Sequence, residues 1–348
     1  MQNTYFLGGA SPDGFETDFW NEQRSSYGFL LKGGPGTGKS TLMKRIAAAF
    51  PDEPVSVYHC ASDPHSLDAV VLEQRGVYVV DATAPHAADP PLPHVTGAVT
   101  DLGAGLDRAA LRDSADAVRM LYAANQAAHV QARKGLAGIA AMEDQITEIG
   151  ERVLLREKLT QYAARLAGRI LPKGAGKGRI LERQRIALTP AGRVCFLPAD
   201  CDLMLLDDPA QTAAGVLLTV LTSEAVSRGL TAEVTRSLTR RDRAPELLVL
   251  PELSLVIAAG YALPEDTVQV PVSLMHMRRF YGTGLRAQRT LLRFCVRTKQ
   301  AASAQTAALL SEALRIHDEL EAHYIRALNP DFLNRTAEEL IRQIQMLP

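Results

Sequence analysis

One glycine-rich stretch near the N-terminus constrains this chain more than any other feature. Residues 33–41 fit the pattern G-x-x-x-x-G-K-[ST], in which a loop between a strand and a helix binds phosphate. Residues 27–31 before it are apolar enough for a short buried strand, and apolar residues after it recur at helical spacing. The sequence therefore predicts a phosphate-binding loop (P-loop) made of Gly33, Gly34, Pro35, Gly36, Thr37, Gly38, Lys39, Ser40 and Thr41.

The chemistry of such a loop assigns roles to three residues. Glycines let backbone N–H groups surround an anion, and the N-terminus of the next helix adds a favourable dipole. Lys39 is expected to reach the β- and γ-phosphates of a nucleotide, and the Ser40 hydroxyl is expected to ligate Mg²⁺. Residues 76–81 predict a buried strand that ends in Asp81, the Walker B pattern, so this acid is expected to hold the same Mg²⁺.

The residue that orients the attacking water is not obvious from the motif. A typical ATPase with this loop has a second acid after the Walker B aspartate, but Ala82 follows Asp81. We therefore predict Asp63 and Asp68 as bases, on the loop after the strand at residues 55–60. The carboxyl end of that strand faces the nucleotide crevice in an open α/β sheet. Turn capping is the alternative role for each acid.

Two histidines near these motifs, His59 and His86, have either a structural or a catalytic role, and the sequence does not distinguish the two. The chain has no guanine-reading Asn-Lys-x-Asp motif, which favours adenine over guanine. ATP and Mg²⁺ are therefore the expected cofactors.

Composition and charge narrow the class of protein. The chain has 348 residues, 47% hydrophobic and 22% charged, which suits two folded domains and argues against wholesale disorder. A net charge of −1 does not favour a nucleic-acid partner. No signal-like N-terminus and no apolar run of membrane-helix length is present. Scattered cysteines indicate a reducing compartment, so we expect a cytoplasmic protein without a membrane partner.

The predicted elements occur twice along the chain. The turn at residues 11–14, the apolar strands and the helix after the loop are echoed from residue 189 onward, and helix-rich stretches follow both sets. We predict an α/β fold: a P-loop NTPase-type parallel sheet flanked by helices, duplicated, with a helical insertion after each sheet unit. The predicted domains are 1–172, with helices over 106–171 and a loop over 82–105, and 182–348; 173–181 is a linker.

The second copy lacks the chemistry of the first. Residues 210–215 stand opposite the P-loop without a lysine or serine, and Ala259 stands opposite Asp81. We therefore interpret the chain as one competent and one degenerate unit packed as an intramolecular pseudo-dimer; chance similarity of two α/β segments is the alternative. The second unit also contains a cluster of arginines, made of Arg236, Arg240, Arg241 and Arg243. One of them is a candidate to reach the γ-phosphate; the alternative is that the cluster is a basic loop exposed to solvent.

Several stretches together resemble an uncharacterised bacterial family of duplicated P-loop ATPases. Besides the generic P-loop, the more specific pieces are Cys-x-Ser-Asp-Pro at 60–64 and Asp-x-Thr-Ala-Pro-His at 81–86. The resemblance is good over the first half and loose over the second. It implies ATP binding and implies no substrate.

Three functions are compatible with this sequence. The first is an Mg²⁺-dependent ATPase that regulates or remodels a protein partner. The second is a kinase that transfers the γ-phosphate to a small molecule or nucleotide. The third is a nucleotide-sensing interaction module with little turnover. The degenerate unit favours the first and third, because a pseudo-domain is more often a regulatory partner than a second catalyst.

Overall fold

A computed structural model describes residues 2–23, 26–174, 176–264 and 272–347. Ala175 of the predicted linker lies outside the described residues. Strands of the N-terminal unit are β1 Gln2–Phe6, β2 Gly9–Ala10, β3 Phe15–Glu16, β4 Tyr27–Lys32, β5 Val55–His59, β6 Leu67–Leu72, β7 Val77–Asp81 and β8 Gly97–Asp101. Its helices are α1 Phe19–Glu22, α2 Lys39–Ala49, α3 Arg108–Asp113, α4 Ala115–Val153 and α5 Arg156–Ile170.

The C-terminal unit has a second set of elements. Its strands are β9 Arg179–Glu182, β10 Ile186–Thr189, β11 Gly192–Cys195, β12 Asp202–Asp207, β13 Thr231–Thr235, β14 Leu247–Leu250, β15 Leu255–Ala259 and β16 Val272–His276. Its helices are α6 Ala213–Ser227, α7 Arg289–Ala327 and α8 Pro330–Met346. The segment 179–181, predicted as the end of the linker, belongs to β9, and the predicted loop over 82–105 contains β8.

The first sheet has six strands in the order β1–β5–β6–β7–β4–β8. Strand β6 pairs antiparallel with both of its neighbours, and the other pairs are parallel. The prediction of a parallel sheet is therefore wrong at β6. An apolar run buried on both faces reads the same in either direction, so composition does not reveal its polarity.

The second sheet also has six strands, in the order β9–β13–β14–β15–β12–β16. Here β14 is the strand that pairs antiparallel with both neighbours, and the remaining pairs are parallel. Both units are thus mixed sheets flanked by helices, with the same place for the reversed strand. Antiparallel two-stranded hairpins, β2–β3 and β10–β11, precede the main part of each unit.

The helices do not all cover the sheet that precedes them. Helix α2 packs on the first sheet through Leu42, Met43 and Ile46, and the C-terminal helix α8 joins the same core. The end of α4 and helix α5 pack instead in the core of the second sheet with α6. Helices α4 and α7 lie against each other, with the Asn125 side chain donating to the Ala313 carbonyl oxygen at 2.8 Å. Each sheet is therefore completed by helices from the other half of the chain.

The two sheets meet where β1 approaches the segment after β9. The Phe6 N–H donates to the Gln184 carbonyl oxygen at 2.7 Å. Nearby, the Tyr5 hydroxyl donates to the Glu233 carboxylate at 3.1 Å, and Arg185 pairs with the same carboxylate at 2.7 Å. The Tyr5 hydroxyl thus connects β1 to a buried ion pair of the C-terminal unit, and removing either partner of that pair would leave an uncompensated buried charge.

Among the described helices, none combines the length and apolarity needed to cross a lipid bilayer.

Candidate functional site

The glycine-rich loop lies between β4 and α2, at the carboxyl end of an inner strand of the first sheet. Gly36 and Gly38 have φ angles of +69° and +83°, which residues with a Cβ rarely adopt. The Leu42 N–H donates to the Gly38 carbonyl oxygen at 2.9 Å, so helix α2 begins directly at the loop. The first turn of this helix has N–H groups without intrahelical acceptors, which is the arrangement that anion binding uses.

Lys39 lies across the loop. Its Nζ donates to the carbonyl oxygens of Gly33 at 2.9 Å and Gly34 at 2.8 Å. The same Nζ is 3.5 Å from Asp81 Oδ2, and both side chains are largely buried. The structure thus brings the lysine of the loop next to the acid that ends β7.

The two residues predicted to hold Mg²⁺ are each oriented by a neighbour. The Ser40 hydroxyl oxygen accepts a hydrogen bond from the Leu67 N–H at 3.0 Å, which joins the start of α2 to the start of β6. Asp81 Oδ1 accepts from the Thr83 N–H at 2.9 Å and from the Thr83 hydroxyl. Within the loop, Thr37 is buried and its hydroxyl donates to the Gly34 carbonyl oxygen at 2.8 Å, a structural role.

The two acids predicted as bases lie in different environments. Asp68 is the second residue of β6, not a loop residue as predicted. Its carboxylate belongs to a cluster with Asp81 and His86 in which one ligand-type atom of each residue lies within 4.8 Å of the others. Asp63 accepts two hydrogen bonds within its own turn, at 3.1 and 2.5 Å. Asp68 therefore belongs to the site around Asp81, and Asp63 caps a turn.

Burial changes the acidity of Asp68. Only 9% of its side chain is exposed, and this burial raises the pKa of Asp68 to about 6. The nearby His86 opposes the rise in pKa, and the charge of Asp81 adds to it. A carboxyl group with such a pKa can exchange a proton near neutral pH.

His86 and His59 each donate a hydrogen bond from Nδ1 to a backbone carbonyl oxygen, but their surroundings differ. His86 Nδ1 is 2.8 Å from the Asp81 carbonyl oxygen, and its Nε2 is 3.8 Å from Asp68 Oδ2. His59 Nδ1 is 2.7 Å from the Pro64 carbonyl oxygen, and its ring packs on Phe196. Burial lowers the pKa of His59. His86 thus belongs to the acidic cluster, and His59 has a structural position.

Residues from the C-terminal half cover the loop. The Gly36 N–H donates to Glu321 Oε1 at 2.9 Å, and a Cβ on Gly34 would come within 2.7 Å of the Tyr324 ring. The nearby His317 ring, whose Nε2 is 3.6 Å from Glu321 Oε1, and the hydrogen bond from Gly36 hold the pKa of Glu321 below its usual value. No sequence pattern indicates these residues, because the periodicity of a long helix does not show what its last turns contact.

The loop of the second unit, at residues 208–213, is filled by polar atoms of the chain itself. The Asp208 carboxylate accepts from two backbone N–H groups, at 3.2 and 2.8 Å. The Tyr281 hydroxyl accepts from two further N–H groups, at 3.3 and 2.8 Å, and donates to Asp208 at 2.6 Å. In a phosphate-binding loop, backbone N–H groups such as these surround an anion. Here they bond instead to the Asp208 carboxylate and the Tyr281 hydroxyl.

The strand ladders and the helix starts align the two loops. Leu31 in β4 pairs with Asp81, and Leu206 in β12 pairs with Ala259. Helix α2 begins at Lys39 and helix α6 begins at Ala213, so the second loop is one residue shorter and Ala213 takes the place of the lysine. The next residue is again an alanine and takes the place of the serine, so the second loop has neither the lysine nor the hydroxyl, in agreement with the sequence.

The arginine cluster of the second unit is paired with carboxylates. Arg240 is 2.8 Å from Asp144 on α4, and Arg243 bonds to the same carboxylate. Arg241 bonds to Asp18, and Arg236 is 3.2 Å from Glu182. These ion pairs are with residues outside loop 33–41, so they give no support to the prediction that one of these arginines completes the site.

Comparisons of the chain with models of protein families, with curated proteins and with solved structures found no match.

Proposed function

We propose that the loop at residues 33–41 binds ATP and that the protein hydrolyses it in the presence of Mg²⁺. The observation that carries the proposal is the position of Lys39, held across a strand–loop–helix turn and 3.5 Å from the Asp81 carboxylate. Positive φ angles at Gly36 and Gly38 further support a phosphate-binding conformation of the loop.

The residues around the loop suit a magnesium nucleotide. Ser40 and Asp81 offer a hydroxyl and a carboxylate, the hard oxygen ligands that Mg²⁺ uses together with phosphate and water. When bound, Mg²⁺ supplies neutralisation of the phosphate charge. The chain itself contributes the N–H groups of the loop and the Lys39 ammonium, which bind and orient the phosphates.

A second part of the proposal is that the chain is an internal duplication with one competent site. The support is topological: both sheets have corresponding strand orders, the same reversed strand and a helix after the loop. The 39-residue helices α4 and α7 fall at equivalent places after the two sheets. In the second unit Ala213 replaces the lysine, and Asp208 and Tyr281 bond to the N–H groups of the loop. Anion binding there would have to displace an internal carboxylate.

The position of Asp68 beside Asp81 favours ATP hydrolysis over ATP binding without turnover. A second buried carboxyl group beside Asp81 provides a proton acceptor at the site, with a pKa of about 6. Nucleotide sensing is the second candidate function, and the contact between Glu321 and Gly36 favours it. This contact connects the loop to α7, and α7 packs on α4, so loop and helices are mechanically linked.

The test measures binding of Mg²⁺–ATP by calorimetry and release of phosphate by the purified protein. Lys39→Ala is expected to abolish binding or turnover, whereas Lys44→Ala, an exposed lysine on the same helix, is expected to leave both unchanged. Equal behaviour of the two variants would refute the proposal. With labelled ATP and a metabolite pool, phosphate release supports hydrolysis, label transfer indicates a kinase, and binding without turnover indicates a sensor.

A further inference from the structure

The cluster of Asp68, Asp81 and His86 has a feature that phosphate binding by the loop does not require. His86 follows a loop after β7 and turns back so that its ring lies beside the two carboxylates. Only 7% of its side chain is exposed, and its ring packs against the ring of Phe15 at 5.2 Å. A buried imidazole between two buried acids needs a chemical reason, since burying charged groups is costly without compensation.

The hydrogen bond at Nδ1 determines the tautomer of His86. A backbone carbonyl oxygen can only accept, so the 2.8 Å contact with the Asp81 carbonyl requires a proton on Nδ1. In the neutral ring Nε2 then carries a lone pair, and it faces Asp68 Oδ2 at 3.8 Å, beyond hydrogen-bond distance. Histidines that bind metals characteristically donate their other ring N–H to a carbonyl or carboxylate in this way.

The distances suit a shared cation. Two ligand atoms that each lie about 2.1 Å from one metal ion are separated by at most about 4.2 Å. The 3.8 Å between His86 Nε2 and Asp68 Oδ2 falls within this limit. The third ligand atom, from Asp81, lies within 4.8 Å of the others, so small side-chain adjustments complete the set.

The second unit does not preserve this ligand set. The strand pairings place Ala259 of the second unit at the position of Asp81. The position of Asp68, one residue before the pair Ala69–Val80, is held by an acid in the second unit too, because Glu246 directly precedes the pair Leu247–Ala258. Among the described residues, the three-residue set therefore occurs in the unit that contains Lys39, as a functional site would.

We propose that Asp68, Asp81 and His86 bind a divalent transition-metal ion. One imidazole and two carboxylates suit Mn²⁺, Fe²⁺, Co²⁺ or Zn²⁺ better than Mg²⁺, which prefers oxygen ligands alone. Three protein ligands leave positions for water, as in catalytic metal sites, and a metal lowers the pKa of such a water. This inference goes beyond ATP binding and does not depend on it, but it would place a metal-bound water beside the proposed phosphate site. With the ion bound, Asp68 would be a ligand and not the free proton acceptor.

The test uses Co²⁺ alone with the full chain, after removal of metals by a chelator and without nucleotide. Calorimetry and the visible d–d absorption of Co²⁺ are expected to show one ion per chain bound with nitrogen ligation. His86→Gln and Asp68→Asn are each expected to weaken Co²⁺ binding by on the order of 100-fold or more. Mutation of a residue that only hydrogen-bonds to a metal ligand already lowers metal affinity by roughly 10–100-fold. Circular dichroism and thermal melting check that each variant is folded.

Two matched variants separate this proposal from the proposed function. His94→Asn, at an exposed histidine of the same loop, is expected to keep Co²⁺ binding. Lys39→Ala is expected to lose ATP binding and keep Co²⁺ binding. In wild-type protein, pulsed electron paramagnetic resonance of bound Mn²⁺ is expected to show coupling to an imidazole nitrogen. Absence of that coupling, or equal Co²⁺ affinity in wild type and His86→Gln, would overturn the proposal whatever the result with ATP.

Discussion

The Gly36 N–H donates a hydrogen bond to the Glu321 carboxylate at 2.9 Å, which connects loop 33–41 to the last turns of α7. A carboxylate at this position competes with phosphate oxygens for the same donor and repels their charge. If loop 33–41 binds a nucleotide as proposed, binding has to break this contact, and helix α7 has to adjust. The C-terminal half of the chain is thus placed to respond to the state of the loop.

We expect Glu321→Gln to increase the affinity for Mg²⁺–ATP by on the order of tenfold, about 1.4 kcal/mol, because the variant removes the negative charge. Titration calorimetry measures the change. Glu319→Gln, an exposed acid on the same helix, is the control and is expected to have no effect. Weaker binding by Glu321→Gln would show instead that the carboxylate supports the nucleotide.

Tyr281→Phe is expected to destabilise the protein by about 3 kcal/mol, because it removes the acceptor of two buried N–H groups and the donor to Asp208. Urea denaturation of the variant gives the change in free energy of unfolding. Tyr122→Phe, at an exposed tyrosine of α4, is the matched control with no expected change. If both variants unfold at the same urea concentration, the hydroxyl does not stabilise the second loop.

The Arg240→Ala, Arg241→Ala double variant is expected to change ATP turnover less than twofold per folded molecule. Loss of an arginine that stabilises the transferring phosphate typically costs 10³–10⁵ in rate, but these side chains bond to Asp144, Asp242 and Asp18. A phosphate-release assay, normalised by circular dichroism, measures the rate. A fall of a hundredfold or more would restore a catalytic role for this loop.

Asp68→Asn is expected to stabilise the metal-free protein at high pH. Folding raises the pKa of Asp68 from its ordinary value of 3.8 to about 6, so the folded state binds this proton more tightly. The stabilisation from this group is therefore present below pH 3.8 and is lost as the pH rises through 6. At pH 8 the variant is expected to gain up to ~3 kcal/mol.

Denaturation of wild type and Asp68→Asn across roughly pH 4 to 8, with a chelator present, measures this difference. The range begins near the pKa of Asp68 in the unfolded state and passes through its pKa in the folded state. Asp113→Asn, at an exposed acid of α3, is the control and is expected to follow the wild-type profile. Parallel curves for wild type and Asp68→Asn would show that burial does not perturb this carboxyl group.

The sequence determined those features that depend on neighbouring residues. Loop 33–41 could be located because a strand, a glycine turn and a helix must follow one another within a short stretch. The absence of lysine and serine from the second loop could likewise be predicted, and the start of α6 at Ala213 agrees with the alignment of the two loops. Helices over 106–171 were predicted because their apolar residues repeat at helical spacing, and the structure has α3, α4 and α5 there.

Only the tertiary structure decided which distant residues meet. The direction of β6 is set by its pairing with β5 and β7, and its apolar residues read the same either way. The contact of Glu321 with Gly36, and that of Tyr281 with Asp208, depend on where α7 and the segment before it pack. A side chain becomes part of a site through the packing of whole elements, and no local pattern around Glu321, Tyr281 or His86 encodes the surface that each one faces.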